Sequence, residues 1–177
     1  AILLALFYQP SISIVLIIVL TLLFAVALYL NLFKKGNPYV AYLRSGFIIL
    51  LEAIFLNLSF YPDLLKYQSG NIAASYINKN YPEDPIARMS AYIPSGEFYL
   101  NQHTYGASIE SITNVSFVKT KLLYATQEDL HNLEEQKVGF EILKIFDEFH
   151  VTQLNIKFLN PKTRSNELKK TYLIRLH

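Results

Sequence analysis

The sequence predicts a membrane-anchored α/β protein. A transmembrane helical hairpin, with the remnant of an earlier span before it, precedes a small extracytoplasmic α/β domain. Three observations predict this. Residues 12–33, ISIVLIIVLTLLFAVALYLNLF, run for 22 positions without a charge. Residues 1–62 carry only Lys34, Lys35, Arg44 and Glu52, whereas residues 63–177 carry 13 basic and 13 acidic side chains. Beyond Pro62, helical and alternating apolar patterns follow one another with turn residues between them, as in a single α/β domain. The expected division is therefore 1–62 for the membrane helices and 63–177 for the domain.

The chain opens on Ala1 inside an apolar run, AILLALFY. Ala1–Tyr8 reads as the last turns of an earlier span and the start as a cut end, with an N-terminal transmembrane bundle missing. Gln9-Pro10-Ser11 is a tight connection. The run 12–33 matches the about 20 apolar residues that a helix needs to cross the hydrocarbon core, and it lacks the alternation of a barrel strand. Residues 45–61, SGFIILLEAIFLNLSFY, form the second span, with Arg44 at one end and Phe60-Tyr61 before Pro62 at the other. Lys34, Lys35 and Arg44 all fall in the loop between the spans, so that loop is expected to be cytoplasmic by the positive-inside rule. The Tyr8–Ser11 turn and everything after Tyr61 then lie outside, in the periplasm if the membrane is a bacterial inner membrane. Glu52 is the one ionisable group at depth. It either meets a polar ligand, such as a lipid-linked head group, or makes a helix–helix hydrogen bond.

In the domain, Asp63–Asn80 has helical spacing with Asp63 as N-cap and Gly70 as a weak point. YPEDP breaks it. Ile86–Ile93 reads as a strand, Ser95 as the cap of a short helix, and 103–114 as a loop with a short strand. Lys121–Ala125 is a buried strand. Thr126 caps the following helix with Asp129 in a capping box. Phe140–Phe149 and His150–Phe158 alternate as strands, Arg164–Lys170 is a weak helix, and Thr171–Leu176 is the last strand.

The zero net charge of residues 63–177 excludes a nucleic-acid surface, which needs a basic face. With no cysteine in the chain, disulfides, thiolate metal sites and cysteine nucleophiles are excluded. The four histidines have no ligand spacing, and GxSxG, P-loop and GxGxxG motifs are absent. No metal and no cofactor is expected. Glu83-Asp84 reads as a solvated turn. Asn57-Leu-Ser59 and Asn114-Val-Ser116 match the glycosylation sequon without further support. Tyr61, Tyr67, Tyr76, Tyr81, Tyr92, Tyr99 and Tyr105 follow the second span, and tyrosine serves both at membrane interfaces and against sugar rings.

The stretch YPDLLKYQSGNIAASYI at 61–77, then SGEFYLNQ, LLYATQEDLHNL, FEILKIFDEFHVTQLNIKFLNPKTR and YLIRL, resembles the C-terminal region of bacterial GT-C membrane glycosyltransferases. These are the aminoarabinose-transferase-like and protein-mannosyltransferase-like enzymes, particularly those of Bacteroidetes. KFLNPKTR at 157–164 is the most specific piece. The resemblance implies sugar transfer from a polyprenyl-phosphate donor to an extracytoplasmic acceptor. It also implies that the catalytic carboxylate belongs to an earlier loop not contained in this chain. No catalytic residue is therefore expected here, and the fragment is expected to be inactive alone. The candidate substrate-binding residues are Glu52, Arg88, Lys162 and Arg164. The three cations would pair with phosphate or are ordinary surface charges. The rival readings are a non-enzymatic, membrane-anchored binding or assembly domain and, further off, a transporter or sensor fragment using Glu52.

Overall fold

The computed structural model describes residues 2–33, 38–91, 94–113 and 122–177. Lys34 and Lys35, the Asn114-Val-Ser116 sequon, Tyr92 and the end of the expected strand Ile86–Ile93 lie outside the described residues. The chain divides into two compact units, residues 1–65 with 154–166, and residues 66–153 with 167–177.

The first unit holds α1 (Ile2–Tyr8), α2 (Ile14–Phe33) and α3 (Pro38–Phe55), and α2 packs along α3. The helix does not stop at Tyr61. It continues through a π-turn (Leu56–Phe60), α4 (Tyr61–Leu64) and a 3-10 turn (Leu65–Tyr67). Tyr39–Tyr67, 29 residues, is the one helix among the described residues that is long and apolar enough to cross a membrane. Its length of about 43 Å exceeds the about 30 Å of a hydrocarbon core. Pro62 explains the π-turn. It has no N–H to give the Leu58 carbonyl, and its ring would clash there. The helix widens in front of it, and the Tyr61 N–H bonds back to the Leu56 carbonyl, five residues away.

Ser59 Oγ donates to the Ser11 carbonyl at 3.2 Å and Ser11 Oγ donates to Asp63 Oδ1 at 3.0 Å. These two bonds hold the Tyr8–Ser11 turn against residues 59–63. Asp63, expected to cap a helix, is instead an acceptor for this turn. A further one-turn helix, α9 (Ile156–Leu159), also belongs to this unit.

The second unit is built on a five-stranded sheet of order β2-β1-β3-β5-β4. The strands are β1 (Ile86–Arg88), β2 (Thr104–Gly106), β3 (Leu122–Thr126), β4 (Phe140–Glu148) and β5 (Lys169–Leu176). β1 pairs in parallel with both β2 and β3, and β5 runs antiparallel between β3 and β4. Successive side chains of a strand point to opposite faces, so β3, buried from Leu122 to Ala125, serves two cores. Leu122 and Tyr124 meet Ala73 and Ile77 of α5 (Ser69–Asn80) on one face, where Leu100, just after α6 (Pro94–Tyr99), also packs. Leu123 and Ala125 meet Leu130 and Leu133 of α8 (Gln127–Glu135) on the other, beside Ile109 and Ile112 of α7 (Ile109–Thr113). The α/β class is thus present as expected. Of the two expected spans, the second falls within the Tyr39–Tyr67 helix, while the first is represented among the described residues by the shorter apolar stretch Leu16–Tyr29.

Several expected elements differ. The helix predicted from Asp63 to Asn80 is broken at Gln68 (φ −97°, ψ 88°), and α5 starts at Ser69. Gly70 is not a weak point. A Cβ on it would lie 2.8 Å from Ser95 Oγ and 3.0 Å from the Gly96 nitrogen, so it allows α5 and α6 to approach. The short helix starts at Pro94, one residue before Ser95, because proline's fixed φ suits a first helical position. His150–Phe158 is not a strand. The Gln153 N–H bonds to the His150 carbonyl at 2.8 Å, and Asn155 caps α9 by accepting from the Phe158 N–H at 2.7 Å. These local bonds compete with the strand that the alternation suggested. The capping box at Thr126 and Asp129 is present.

Candidate functional site

Open α/β sheets bind ligands where the strand order reverses, outside the carboxyl ends of the strands. Here that place lies beyond β1 and β3. It is occupied by the protein itself. Asp129 Oδ1 accepts from Ser90 Oγ at 2.6 Å, and Oδ2 accepts from the Thr126 N–H at 2.8 Å and Thr126 Oγ1 at 2.9 Å. Asp129 is 3% exposed, and a buried carboxylate bonded on both oxygens is a structural acceptor.

The site with groups to spare lies along α5 and α6. A groove of about 570 Å³ is lined by Asn71, Ser75, Asn78, Lys79 and Tyr99. The spacing 71, 75, 78 puts three polar residues on one helical stripe, opposite Ala73 and Ile77, which face the core. Asn78 fixes the wall, its Nδ2 donating to the Tyr99 carbonyl at 2.8 Å and its Oδ1 accepting from the Asn101 N–H at 3.1 Å. Asn71 Nδ2 donates to Gln68 Oε1 at 2.7 Å, while Asn71 Oδ1 is buried without a hydrogen-bond partner among the described residues. The Ser75 hydroxyl and the Lys79 ammonium add donors. Tyr99 (56% exposed) and Phe98 (82% exposed) stand edge to face with centroids 5.2 Å apart. An exposed aromatic beside amide and hydroxyl groups offers an apolar face and hydrogen-bond partners together. The described lining offers amide, hydroxyl, ammonium and phenol groups that can bind and orient a ligand.

A second, polar cavity of about 430 Å³ is lined by Arg88, Glu97, Leu100, Asn101, Gln102, His103 and Thr104. Arg88 is committed there, its Nε 2.7 Å from Glu97 Oε1, which also accepts from Thr104 Oγ1 at 3.2 Å.

Of the four residues picked from the sequence, Glu52, Lys162 and Arg164 belong to the first unit and Arg88 to the second. Glu52 is exposed on α3 and Lys162 on the turn after α9, while Arg88 pairs with Glu97 in the second unit. Arg164 is a structural clamp. Its Nε donates to the Phe158 carbonyl at 3.0 Å, its Nη2 to the Tyr8 carbonyl at 2.7 Å, and its guanidinium carbon lies 4.1 Å from the Tyr8 ring centroid. Asn71, Ser75 and Lys79 were not singled out from the sequence. Their signal was a polar stripe at helical spacing, which reads equally as a solvated face. Tyr99 was named with its fellow tyrosines. Among the described residues no group of His, Asp and Glu could hold a metal ion. No family model, curated protein or solved structure matches this chain.

Proposed function

We propose that this chain is the C-terminal part of an integral-membrane glycosyltransferase that moves a sugar from a polyprenyl-phosphate donor to an acceptor outside the cytoplasm. In this reading α2 and α3 form a transmembrane hairpin and the sheet unit is extracytoplasmic. The α5/α6 groove holds the hydroxyl-rich part of the glycan against Tyr99. The catalytic carboxylate comes from a loop that this chain does not contain.

The observation that carries the reading is the groove, with its spare amide, hydroxyl and ammonium groups beside an exposed aromatic pair. The helices support the anchoring. Ile14, Ile17, Ile18, Leu22, Phe24, Ile48 and Ile49 are all more than 50% exposed, an apolar surface that favours lipid over water. The same binding groups support a second reading, a membrane-anchored glycan-binding domain with no transfer chemistry.

The test is binding by the full chain in lipid nanodiscs. Titration with a polyprenyl-phosphate sugar, and separately with the free sugar, should saturate in the parent and weaken about tenfold or more in an Asn71→Ala/Ser75→Ala variant. One lost buried hydrogen bond is worth about 1–2 kcal/mol. Preference for the lipid-linked sugar favours the transferase, and equal affinity favours the binding domain. Binding unchanged in the variant rejects the groove as the site.

A further inference from the structure

The segment after β4 has a composition of its own. Residues 149–166 hold Lys157, Lys162 and Arg164 and no acidic side chain, whereas the rest of 63–177 holds 10 basic and 13 acidic residues. Its part from Leu154 to Asn166, which holds all three cations, belongs to the unit that contains the apolar helices. One side of it is anchored. Phe158 is fully buried, 6.2 Å from the Tyr8 ring, and Tyr8 in turn stands edge to face with Phe60 at 5.0 Å. Arg164 ties the segment to the Tyr8 carbonyl. The segment is therefore docked at the end of the helices where the Tyr8–Ser11 turn meets Asp63.

The other side is apolar and uncovered among the described residues. Ile156 is 76% exposed and Leu154 40%, with Lys157 and Lys162 exposed beside them. Apolar side chains flanked by lysines, held at the end of a membrane-length helix, match the acyl–headgroup boundary of an anionic bilayer. Apolar residues enter it, and ammonium groups pair with lipid phosphates. We infer that residues 154–163 are a lipid-interface foot. It inserts Leu154 and Ile156 into the outer leaflet and sets Lys157 and Lys162 against anionic headgroups. This rests on the membrane reading proposed above.

The chain has no cysteine, so single-cysteine labelling is direct. Ile156→Cys, Ile49→Cys on α3 and His131→Cys on α8 would each carry an environment-sensitive nitrobenzoxadiazole label. The full chain would be placed in nanodiscs of phosphatidylcholine with phosphatidylglycerol. Quenching by doxyl-labelled lipid is compared with quenching by aqueous iodide. The 156 label should follow the 49 label, lipid-quenched and several-fold less accessible to iodide than the 131 label. Lys157→Ser/Lys162→Ser should reduce its lipid quenching in anionic discs.

Position 156 as open to iodide as 131, while 49 is lipid-quenched, overturns the foot and leaves the membrane reading standing. Position 49 open to iodide overturns both. Shielding of 156 from iodide without lipid quenching means that a protein surface covers the patch and also overturns the foot. Quenching undiminished in the lysine variant overturns the role given to the lysines.

Discussion

Arg164 reaches across 156 residues of sequence to donate from Nη2 to the backbone carbonyl of Tyr8 at 2.7 Å, with its guanidinium carbon 4.1 Å from the centre of the Tyr8 ring. The carbonyl belongs to the last residue of α1, where Gln9 (φ 51°) turns the chain out of the helix, and terminal helix carbonyls need such partners. One planar cation thus closes a helix end, stacks on a buried ring and fastens α9 through the Phe158 carbonyl.

Replacing Arg164 with Ala is expected to cost about 2–4 kcal/mol locally, from lost charge-assisted hydrogen bonds and cation–π contact. Lysine should rescue little, because it lacks the planar fork. Amide hydrogen exchange on the full chain checks this. Exchange should rise at Leu159 and Asn160, whose N–H groups bond within the α9 turn, and stay unchanged in β3. Protection that stays at parental levels would mean that Phe158 packing alone holds the segment.

Tyr124 joins three buried hydroxyls. Its OH donates to Ser69 Oγ at 2.9 Å and shares a 2.7 Å hydrogen bond with Thr171 Oγ1, and all three residues are at most 1% exposed. Burial raises the Tyr124 pKa, against the lowering effect of those two bonds, so the phenol stays neutral. Tyr124→Phe removes one partner each from Ser69 and Thr171 and is expected to destabilise the sheet unit by about 1–3 kcal/mol. Thermal unfolding followed by circular dichroism at 218 nm reads it. A variant as stable as the parent would show that the two remaining hydroxyls bond elsewhere.

Gly70→Ala places a methyl 2.8 Å from Ser95 Oγ and 3.0 Å from the Gly96 nitrogen. The second contact is backbone and cannot rotate away, so α6 must shift, at a cost of about 1–3 kcal/mol. Ser95→Ala should recover only part of the loss. Because α6 carries Tyr99, the groove should also weaken for sugar. Full recovery on removing Ser95 Oγ would show that the backbone has room.

Burial raises the Glu148 pKa, against the lowering effects of a Ser69 hydrogen bond, Lys169 and His150. A raised carboxyl pKa means that the folded state favours the proton. That contribution is complete below the unfolded value of about 4.3 and is lost as pH rises through the folded value. Glu148→Gln, neutral throughout, is therefore expected to melt above the parent at pH 7.5 and with it at pH 3.5. A parent that gains on the variant as pH rises would mean that Lys169 and Ser69 outweigh burial.

The strongly patterned segments could be read from residues alone. The helix in the 22-residue uncharged run and the Thr126–Asp129 capping box rest on local physics that the fold keeps; the strand expected at Phe140–Phe149 forms as β4, but a register shift between Ile142 and Lys144 breaks its alternation. The errors fall where a local bond opposes the pattern. Leu154, Ile156 and Phe158 alternate as a strand would, but Asn155 offers a cap and the chain turns. Pro62 ends a helix by the usual rule, but a π-turn lets this one pass. The groove was hidden because its residues come from α5 and α6, which Gly70 brings together. A polar helical stripe gains meaning only when an aromatic from another element stands beside it.

The most direct measurement is photo-crosslinking with a diazirine-bearing polyprenyl-phosphate sugar on the full chain in nanodiscs, followed by peptide mapping. The account predicts adducts on α5 between Asn71 and Lys79 and on Phe98 or Tyr99, competed by unlabelled donor. Adducts confined to other parts of the chain, or none that the donor competes, would contradict it.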